Sequence, residues 1–203
     1  MTQIALPLLH SGPKQPSSIV LGEGNAHIAE ALGASADWPF GTAILAGPAR
    51  SGKSLFSRWF ASHTGGGAID DADQKDEIEI FHAWNRARED GYPLLLTVDA
   101  SGWEIELPDL RSRMGAALQL EIGAPDDDLA AELMLSHAAQ RGLALGDGAP
   151  AYLIPRMERS HAAIERIVAE IDRLSLERKA PATMSIWRDA LDAVQGPEQA
   201  RLL

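Results

Sequence analysis

A glycine-rich loop constrains the fold of this chain more than any other feature of its sequence. Residues 47–54 read GPARSGKS and fit the pattern G-x-x-x-x-G-K-[ST]. A short apolar run, residues 42–46 (TAILA), precedes the loop, and residues 55–62 carry apolar side chains at helical spacing. When such a loop joins a strand to a helix, its backbone N–H groups converge on phosphate oxygens. The sequence therefore predicts a phosphate-binding loop at the start of a parallel α/β domain.

The chemistry predicted for this loop is nucleotide binding. Gly47 and Gly52 allow the backbone to turn its N–H groups toward phosphate oxygens. We expect Lys53 to reach the terminal phosphates of bound ADP or ATP, and Ser54 to give its hydroxyl to Mg²⁺. The alternative is a glycine-rich turn that is kept for its shape in a protein that no longer binds nucleotide.

Acidic side chains follow two further candidate strands. Asp70 and Asp71 lie within residues 68–73 (AIDDAD), and Thr97 and Asp99 end a long apolar run. Ligands bind at the carboxyl ends of strands in open parallel sheets. We therefore expect Asp70 to help hold Mg²⁺, Asp71 to orient the attacking water, and Asp99 to face the nucleotide. The plainer alternatives are a solvated acidic turn for the aspartate pair and a cap on the next turn for Asp99.

The remaining pattern predicts two structural regions. Strands and helices alternate through residues 18–124, with further strands expected at 92–98 and 117–122 and helices at 25–33 and 76–90. In the last of these helices, Ile78, Phe81, Trp84 and Ala87 are spaced as one apolar face. Residues 125–203 instead carry helical patterns at 126–141, 160–179 and 187–194, with Ser160 as a helix cap. The expected architecture is a parallel sheet followed by a small all-helical domain.

Composition excludes several kinds of protein. The chain has 18 basic and 29 acidic residues, a net charge of −11, which opposes extensive contact with a phosphate backbone. It contains no cysteine, so disulfides and thiolate metal sites are excluded. No apolar run reaches the roughly 18 residues of a membrane span, and the first ten residues contain no lysine or arginine. We expect a cytoplasmic protein with no direct sequence-specific DNA binding and no membrane contact.

Several segments together resemble a known family. VLGEGNAHIAEAL, AILAGPARSGKS, AIDDADQ, IFHAWNRAREDGYPLLLTVDAS and LPDLRSRMGAALQLEI follow one another in the order seen in the replication-initiator AAA+ ATPases. Residues 152–191 resemble the helical lid of the Hda-type, DnaA-related regulators within that class. The resemblance covers nearly the whole chain. It implies an AAA+ fold and a regulator that promotes ATP hydrolysis by the initiator DnaA.

The resemblance also implies roles for individual residues. Arg113 lies where the family carries its arginine finger, which reaches the nucleotide of a neighbouring DnaA AAA+ domain. The alternative for Arg113 is a salt-bridged surface arginine. Ala162 lies where the family has a nucleotide-sensing arginine, and Arg159 or Arg156 is the candidate replacement. A homodimer is also possible within this class.

The N-terminal segment matches the family's clamp-binding peptide. Residues 3–8 (QIALPL) fit Q-x-x-L-P-L, so Gln3, Leu6, Pro7 and Leu8 are expected to bind the β subunit sliding clamp. A glutamine offers both a donor and an acceptor, leucines fill apolar pockets, and proline stiffens an extended peptide. Residues 1–17 would then form a peptide and linker. The alternative is an arm that packs on its own domain.

Three departures from the family pattern predict weak or absent intrinsic hydrolysis. Seventeen positions separate Lys53 from Asp70, which leaves room for one helix and predicts about four strands in the sheet. Ala162 removes the expected sensor arginine, and Pro155 predicts a kink between lid helices. Two other functions stay open beside the regulator. One is a free-standing small P-loop NTPase or nucleotide kinase, and the other is a DnaA-like module that loads another factor.

Overall fold

The computed structural model describes residues 19–196, which divide into two compact units between residues 123 and 124. The first unit is a sheet covered by helices on both faces. Its elements are α1 Glu23–Gly33, β1 Thr42–Gly47, α2 Lys53–Thr64, β2 Gly67–Ile69, α3 Glu77–Asp90, β3 Leu94–Asp99, α4 Pro108–Gly115 and β4 Leu118–Glu121.

All strand pairs in the sheet are parallel, and the strand order is β2-β3-β1-β4. Thr42 pairs with Leu94 at one end of the central pair, and Gly47 pairs with Asp99 at the other. Within residues 19–196 the sheet has four strands, as predicted from the short segment after the loop. The register places the glycine-rich loop and the end of β3 at the same edge of the sheet.

Alternate residues of the sheet supply two separate apolar cores. On one face, Leu45 packs with side chains of α1 and α2, including Ile28 and Phe60. On the other face, Ile44 packs with side chains of α3 and α4, including Ile80. Successive residues of a strand point to opposite faces of the sheet. Because both faces are covered here, successive residues of β1 are buried, which explains the continuous apolar run at residues 42–46 (TAILA).

One part of the predicted face of α3 is wrong. Ile78, in the first turn of α3, is 57% exposed. The buried face instead carries Ile80 and Ala87, with Trp84 packed beside them. These three positions follow the spacing i, i+4, i+7, which fits a helical stripe as well as the predicted spacing does.

The second unit contains helices that pack around their own core. They are α5 Asp127–Gln140, α6 Gly148–Leu153, α7 His161–Arg178 and α8 Met184–Gln195. The sequence predicted α5, α7 and α8. As expected, the Ser160 hydroxyl caps α7 by accepting the Ala163 N–H at 3.1 Å. The sequence did not predict α6, which is short and carries glycine and proline. It ends just before Pro155, where a 3₁₀ turn, Ile154–Arg156, follows. Between residues 19 and 196, no helix has the length and apolarity needed to cross a membrane.

Replacing Ile171 with alanine tests the core of the second unit. Ile171 is fully buried in α7, so we expect Ile171→Ala to lower the free energy of unfolding by about 2–5 kcal/mol, because the truncated side chain leaves a cavity. Urea denaturation followed by circular dichroism measures the change. The control is Arg173→Ala, which removes exposed ion pairs to Glu170 and Glu177 and should cost about 1 kcal/mol or less. Equal costs for the two variants would contradict the assignment of this core.

Candidate functional site

The glycine-rich loop joins the end of β1 to the start of α2, and its two glycines are needed for different reasons. Gly52 has a φ of +93°, in the left-handed region that favours glycine. At Gly47 a Cβ atom would lie 2.8 Å from the Ser51 Oγ and 3.1 Å from the Ile122 Cβ. Backbone conformation therefore selects glycine at position 52, and close packing selects it at position 47.

Lys53 begins α2 and is almost completely buried. Its Nζ donates to the Gly47 carbonyl at 2.5 Å and to the Pro48 carbonyl at 3.1 Å. The ammonium group therefore lies against the backbone of the loop. No described side chain caps the N-terminus of α2, so the positive end of its dipole and its first N–H groups remain directed into the loop.

The residues present fit a bound nucleotide. Ser51 Oγ is buried and has no hydrogen-bond partner among the described residues. Together with Lys53 and the N-terminus of α2, this hydroxyl supplies donors around the loop for phosphate oxygens. Ser54 and Asp70 are the candidate protein ligands for Mg²⁺. Within residues 19–196 no cluster of three acidic or histidine side chains could hold a metal by itself, and Mg²⁺ in such sites takes further oxygens from phosphates and water.

Thr97 organises the acidic end of β2. Its buried hydroxyl donates to the Asp70 Oδ1 at 2.6 Å and accepts the Asp71 N–H at 3.0 Å. Asp71 has a φ of +50°, in the left-handed region, and its side chain is exposed. The structure thus brings Asp70 and Asp71 beside the end of β3. The sequence placed Thr97 at this edge of the sheet but did not indicate that it links the two aspartates.

Asp99 caps the turn that follows β3, as the plainer interpretation expected. Its Oδ1 accepts the Ser101 N–H at 2.9 Å. Hydrogen bonds from the Ser101 backbone and then from the Ser101 side chain lower the pKa of Asp99, and the positive charge of Lys53 acts in the same direction against partial desolvation. Asp99 also pairs in register with Gly47, the first glycine of the loop. The capping contact is therefore made at the edge where the nucleotide site is predicted.

The lowered pKa of Asp99 gives a pH-dependent contribution to stability. The contribution is complete above the unfolded-state pKa, near 3.8, and is lost as the pH falls through the lower folded value. We expect the stability advantage of the wild type over Asp99→Asn to be larger at about pH 6 than at about pH 3. Urea midpoints of both proteins at the two pH values measure this. An advantage that stays constant with pH would contradict the prediction.

Arg113 lies in the last turn of α4 and contacts α3 of its own chain. Its Nη1 donates to the Asn85 Oδ1 at 2.7 Å. Its Cζ lies 4.2 Å from the centre of the Phe81 ring and 4.3 Å from that of the Trp84 ring. These partners are neutral, so the alternative of a salt-bridged arginine does not describe its surroundings.

A second contact between α3 and the region before α4 was missed from the sequence. The Glu77 carboxylate accepts the N–H groups of Glu106 at 2.8 Å and Leu107 at 2.6 Å. In the sequence Glu77 belongs to an acidic run, which is typical of a solvated surface. The one sequence signal is Pro108, which is typical of the first position of a helix. The N–H groups at and before such a helix start need partners, but the sequence does not show that Glu77 is the partner.

The lid arginines have partners within their own unit. Arg159 forms an exposed ion pair with Asp127 at 3.0 Å, and the Arg156 guanidinium lies 4.4 Å from the centre of the Tyr152 ring. Ala162 lies half-buried in the first turn of α7. The role of Arg159 toward nucleotide stays a prediction. The predicted clamp peptide, with Gln3, Leu6, Pro7 and Leu8, lies outside the described residues.

Comparison with known proteins identifies the fold class, and similar sequences are then found among replication proteins. Domain III of the Thermotoga maritima replication initiation protein DnaA has a TM-score of 0.73 at 12% identity, over 88% of this chain and 95% of that chain. AMPPCP-bound DnaA from Aquifex aeolicus has a TM-score of 0.61 at 18% identity, over 83% of this chain and 68% of that one. The fold is therefore that of an AAA+ protein, a parallel sheet with a phosphate loop and a helical lid.

Sequence similarity narrows this class. Residues 126–191 match the family described as "Hda, lid domain". The chain is 26% identical over 125 residues to the chromosomal replication initiator protein DnaA of Magnetococcus marinus. That alignment covers 60% of this chain and spans only 28% of the initiator's length. The chain therefore has an AAA+ fold and is similar in sequence to the Hda lid family, over residues 126–191, and to DnaA.

Proposed function

We propose that this protein is a regulator that binds the sliding clamp and stimulates ATP hydrolysis by DnaA, which limits repeated initiation of replication. The observation that carries the proposal is the combination in one chain of an Hda-type lid with a phosphate-loop domain that bears Arg113 on α4. A guanidinium supplied to a neighbour's nucleotide neutralises charge on the transferring phosphoryl group. In this proposal the reacting ATP is bound by DnaA.

The protein's own nucleotide, ADP or ATP with Mg²⁺, has a structural role in this proposal. Lys53 and the N-terminus of α2 would hold the phosphates, while Ser54 and Asp70 would hold the metal directly or through water. When bound, Mg²⁺ would neutralise part of the charge on the phosphate oxygens. Thr97 keeps Asp70 and Asp71 at fixed positions beside the loop, whether or not they take part in hydrolysis.

A free-standing small P-loop NTPase or nucleotide kinase is the second candidate. The arrangement of Thr97, Asp70 and Asp71 favours it, because an ordered acidic strand end is what an intrinsic hydrolase requires. Turnover of ATP by the purified protein alone distinguishes the two functions. The regulator predicts at most a single turnover per protein without DnaA, whereas sustained multiple turnover would contradict it.

The predicted clamp peptide has its own test. Replacing Gln3 with alanine removes a side chain that can both donate and accept hydrogen bonds, so we expect affinity for the clamp to fall about tenfold. Binding of the full chain to immobilised clamp measures the dissociation constant. The matched control is Ile4→Ala, at a position that the Q-x-x-L-P-L pattern leaves open. If Gln3→Ala binds as the wild type does, the peptide assignment is wrong.

A further inference from the structure

Helix α3 contacts the α4 region at two places, one at each end of α4. Ahead of α4, the Glu77 carboxylate accepts the N–H groups of Glu106 and Leu107. In the last turn of α4, Arg113 meets α3 through two aromatic rings and the Asn85 amide oxygen. Because the helix is only eight residues long, these contacts together fix its placement on α3.

The Trp84 ring that Arg113 contacts is itself fixed to the sheet. Its Nε1 donates to the Thr42 Oγ1 at 3.0 Å. Thr42 is buried and begins β1, the strand whose other end leads into the phosphate loop. A continuous set of contacts therefore runs from the central strand through Trp84 to the Arg113 guanidinium.

These contacts leave the positive charge of Arg113 available. An amide oxygen and aromatic faces attract a guanidinium without neutralising it, whereas a carboxylate partner would cancel its charge. An arginine side chain also has many rotamers, and it loses that freedom when it must meet one phosphate group of a partner. Contacts that restrict the side chain before the partner arrives reduce this loss.

We propose that Phe81, Trp84 and Asn85 are positioning residues that preorganise Arg113 for the nucleotide of a partner AAA+ subunit. This inference rests on the proposed function, in which Arg113 acts in trans. It adds that the rate of stimulated hydrolysis depends on an aromatic surface of α3 within the same chain. Without that surface, Arg113 still carries its charge but spends less time in the reactive orientation.

A matched pair of substitutions at Trp84 tests this. Trp84→Leu keeps an apolar side chain but removes the aromatic face, so we expect the maximal rate of stimulated hydrolysis to fall about 3- to 10-fold. Trp84→Tyr keeps an aromatic face and should retain most of the rate. The rate of ATP hydrolysis by DnaA is measured with clamp-loaded DNA over a range of concentrations of each variant. The half-saturating concentration and clamp binding should stay unchanged, because the predicted effect is on the orientation of Arg113 within the complex.

Asn85→Ala supplies a second measurement, at a half-exposed position where folding is less at risk. It removes one hydrogen bond to Arg113 and should lower the maximal rate about 2- to 5-fold. If Trp84→Leu lowers the thermal unfolding midpoint, Asn85→Ala becomes the variant that tests whether these contacts position Arg113.

Arg113→Ala in the same assay separates this inference from the proposed function. If the wild type does not stimulate hydrolysis, the proposed function is wrong, and if Arg113→Ala keeps full stimulation, the action of Arg113 in trans is wrong. If Arg113→Ala loses stimulation while folded Trp84→Leu and Asn85→Ala keep the wild-type rate, the positioning inference is overturned. A higher rate in either positioning variant would also overturn it, since the contacts would then hold Arg113 away from its partner.

Discussion

Replacing Arg113 with alanine is expected to lower the stimulated rate of ATP hydrolysis by DnaA about 10³- to 10⁵-fold, toward the rate of DnaA alone. The physical reason is that, in the proposed function, the guanidinium would neutralise charge that develops on the transferring phosphoryl group, and alanine carries no charge. Single-turnover hydrolysis of ATP bound to DnaA, with clamp-loaded DNA and a saturating amount of the variant, measures this loss. The fold loss observed in the variant cannot exceed the fold increase in the ATP hydrolysis rate that the wild type gives.

The matched control is Arg86→Ala, an exposed arginine on α3. It removes the same charge from a neighbouring surface and should leave stimulation within about twofold of the wild type, because exposed charges contribute little at physiological salt. Equal losses in the two variants would mean that net charge, and not a placed finger, drives the effect. Full activity of Arg113→Ala would contradict the role of this residue outright.

Replacing Lys53 with methionine is expected to weaken nucleotide binding about 100-fold. The ammonium lies at the loop, where it would contact the terminal phosphates, and charge-assisted hydrogen bonds of this kind contribute about 1.5–3 kcal/mol each. Methionine keeps much of the apolar stem, which is buried, and removes the charge. Titration with fluorescent ADP and Mg²⁺ measures the dissociation constant directly.

Lys75→Met is the control, because Lys75 is exposed and lies outside the loop. It should bind nucleotide as the wild type does. Thermal midpoints without nucleotide check that Lys53→Met is folded, and midpoints with nucleotide should rise for the wild type and the control only. If folded Lys53→Met keeps the wild-type affinity, the loop is a structural turn, as the alternative interpretation of the sequence holds.

The fold could be predicted from the sequence because its signals are local. TAILA, GPARSGKS and the following apolar positions define a strand, a loop and a helix without reference to the rest of the chain. The number of strands also followed from a local quantity, the short distance between Lys53 and Asp70. Helix α7 was clear for the same reason, since its buried residues repeat at helical spacing and Ser160 marks its start.

The missing parts depend on contacts between distant residues. Two helical faces were compatible with the apolar residues of α3, and only packing against the sheet selects Ile80 over Ile78. Asp70 and Thr97 are far apart in sequence and meet because β2 and β3 pair in one register. The neutral surroundings of Arg113 likewise come from a helix that precedes it by about thirty positions, which no local pattern reveals.

Hydrolysis of ATP bound to DnaA, measured with and without this protein and with and without clamp-loaded DNA, tests the central claim most directly. The regulator predicts rapid hydrolysis only when the protein and clamp-loaded DNA are both present, and slow hydrolysis in the three other mixtures. A rate that the protein does not change in the presence of loaded clamp would contradict the account. So would an equal rate increase when the clamp is left out.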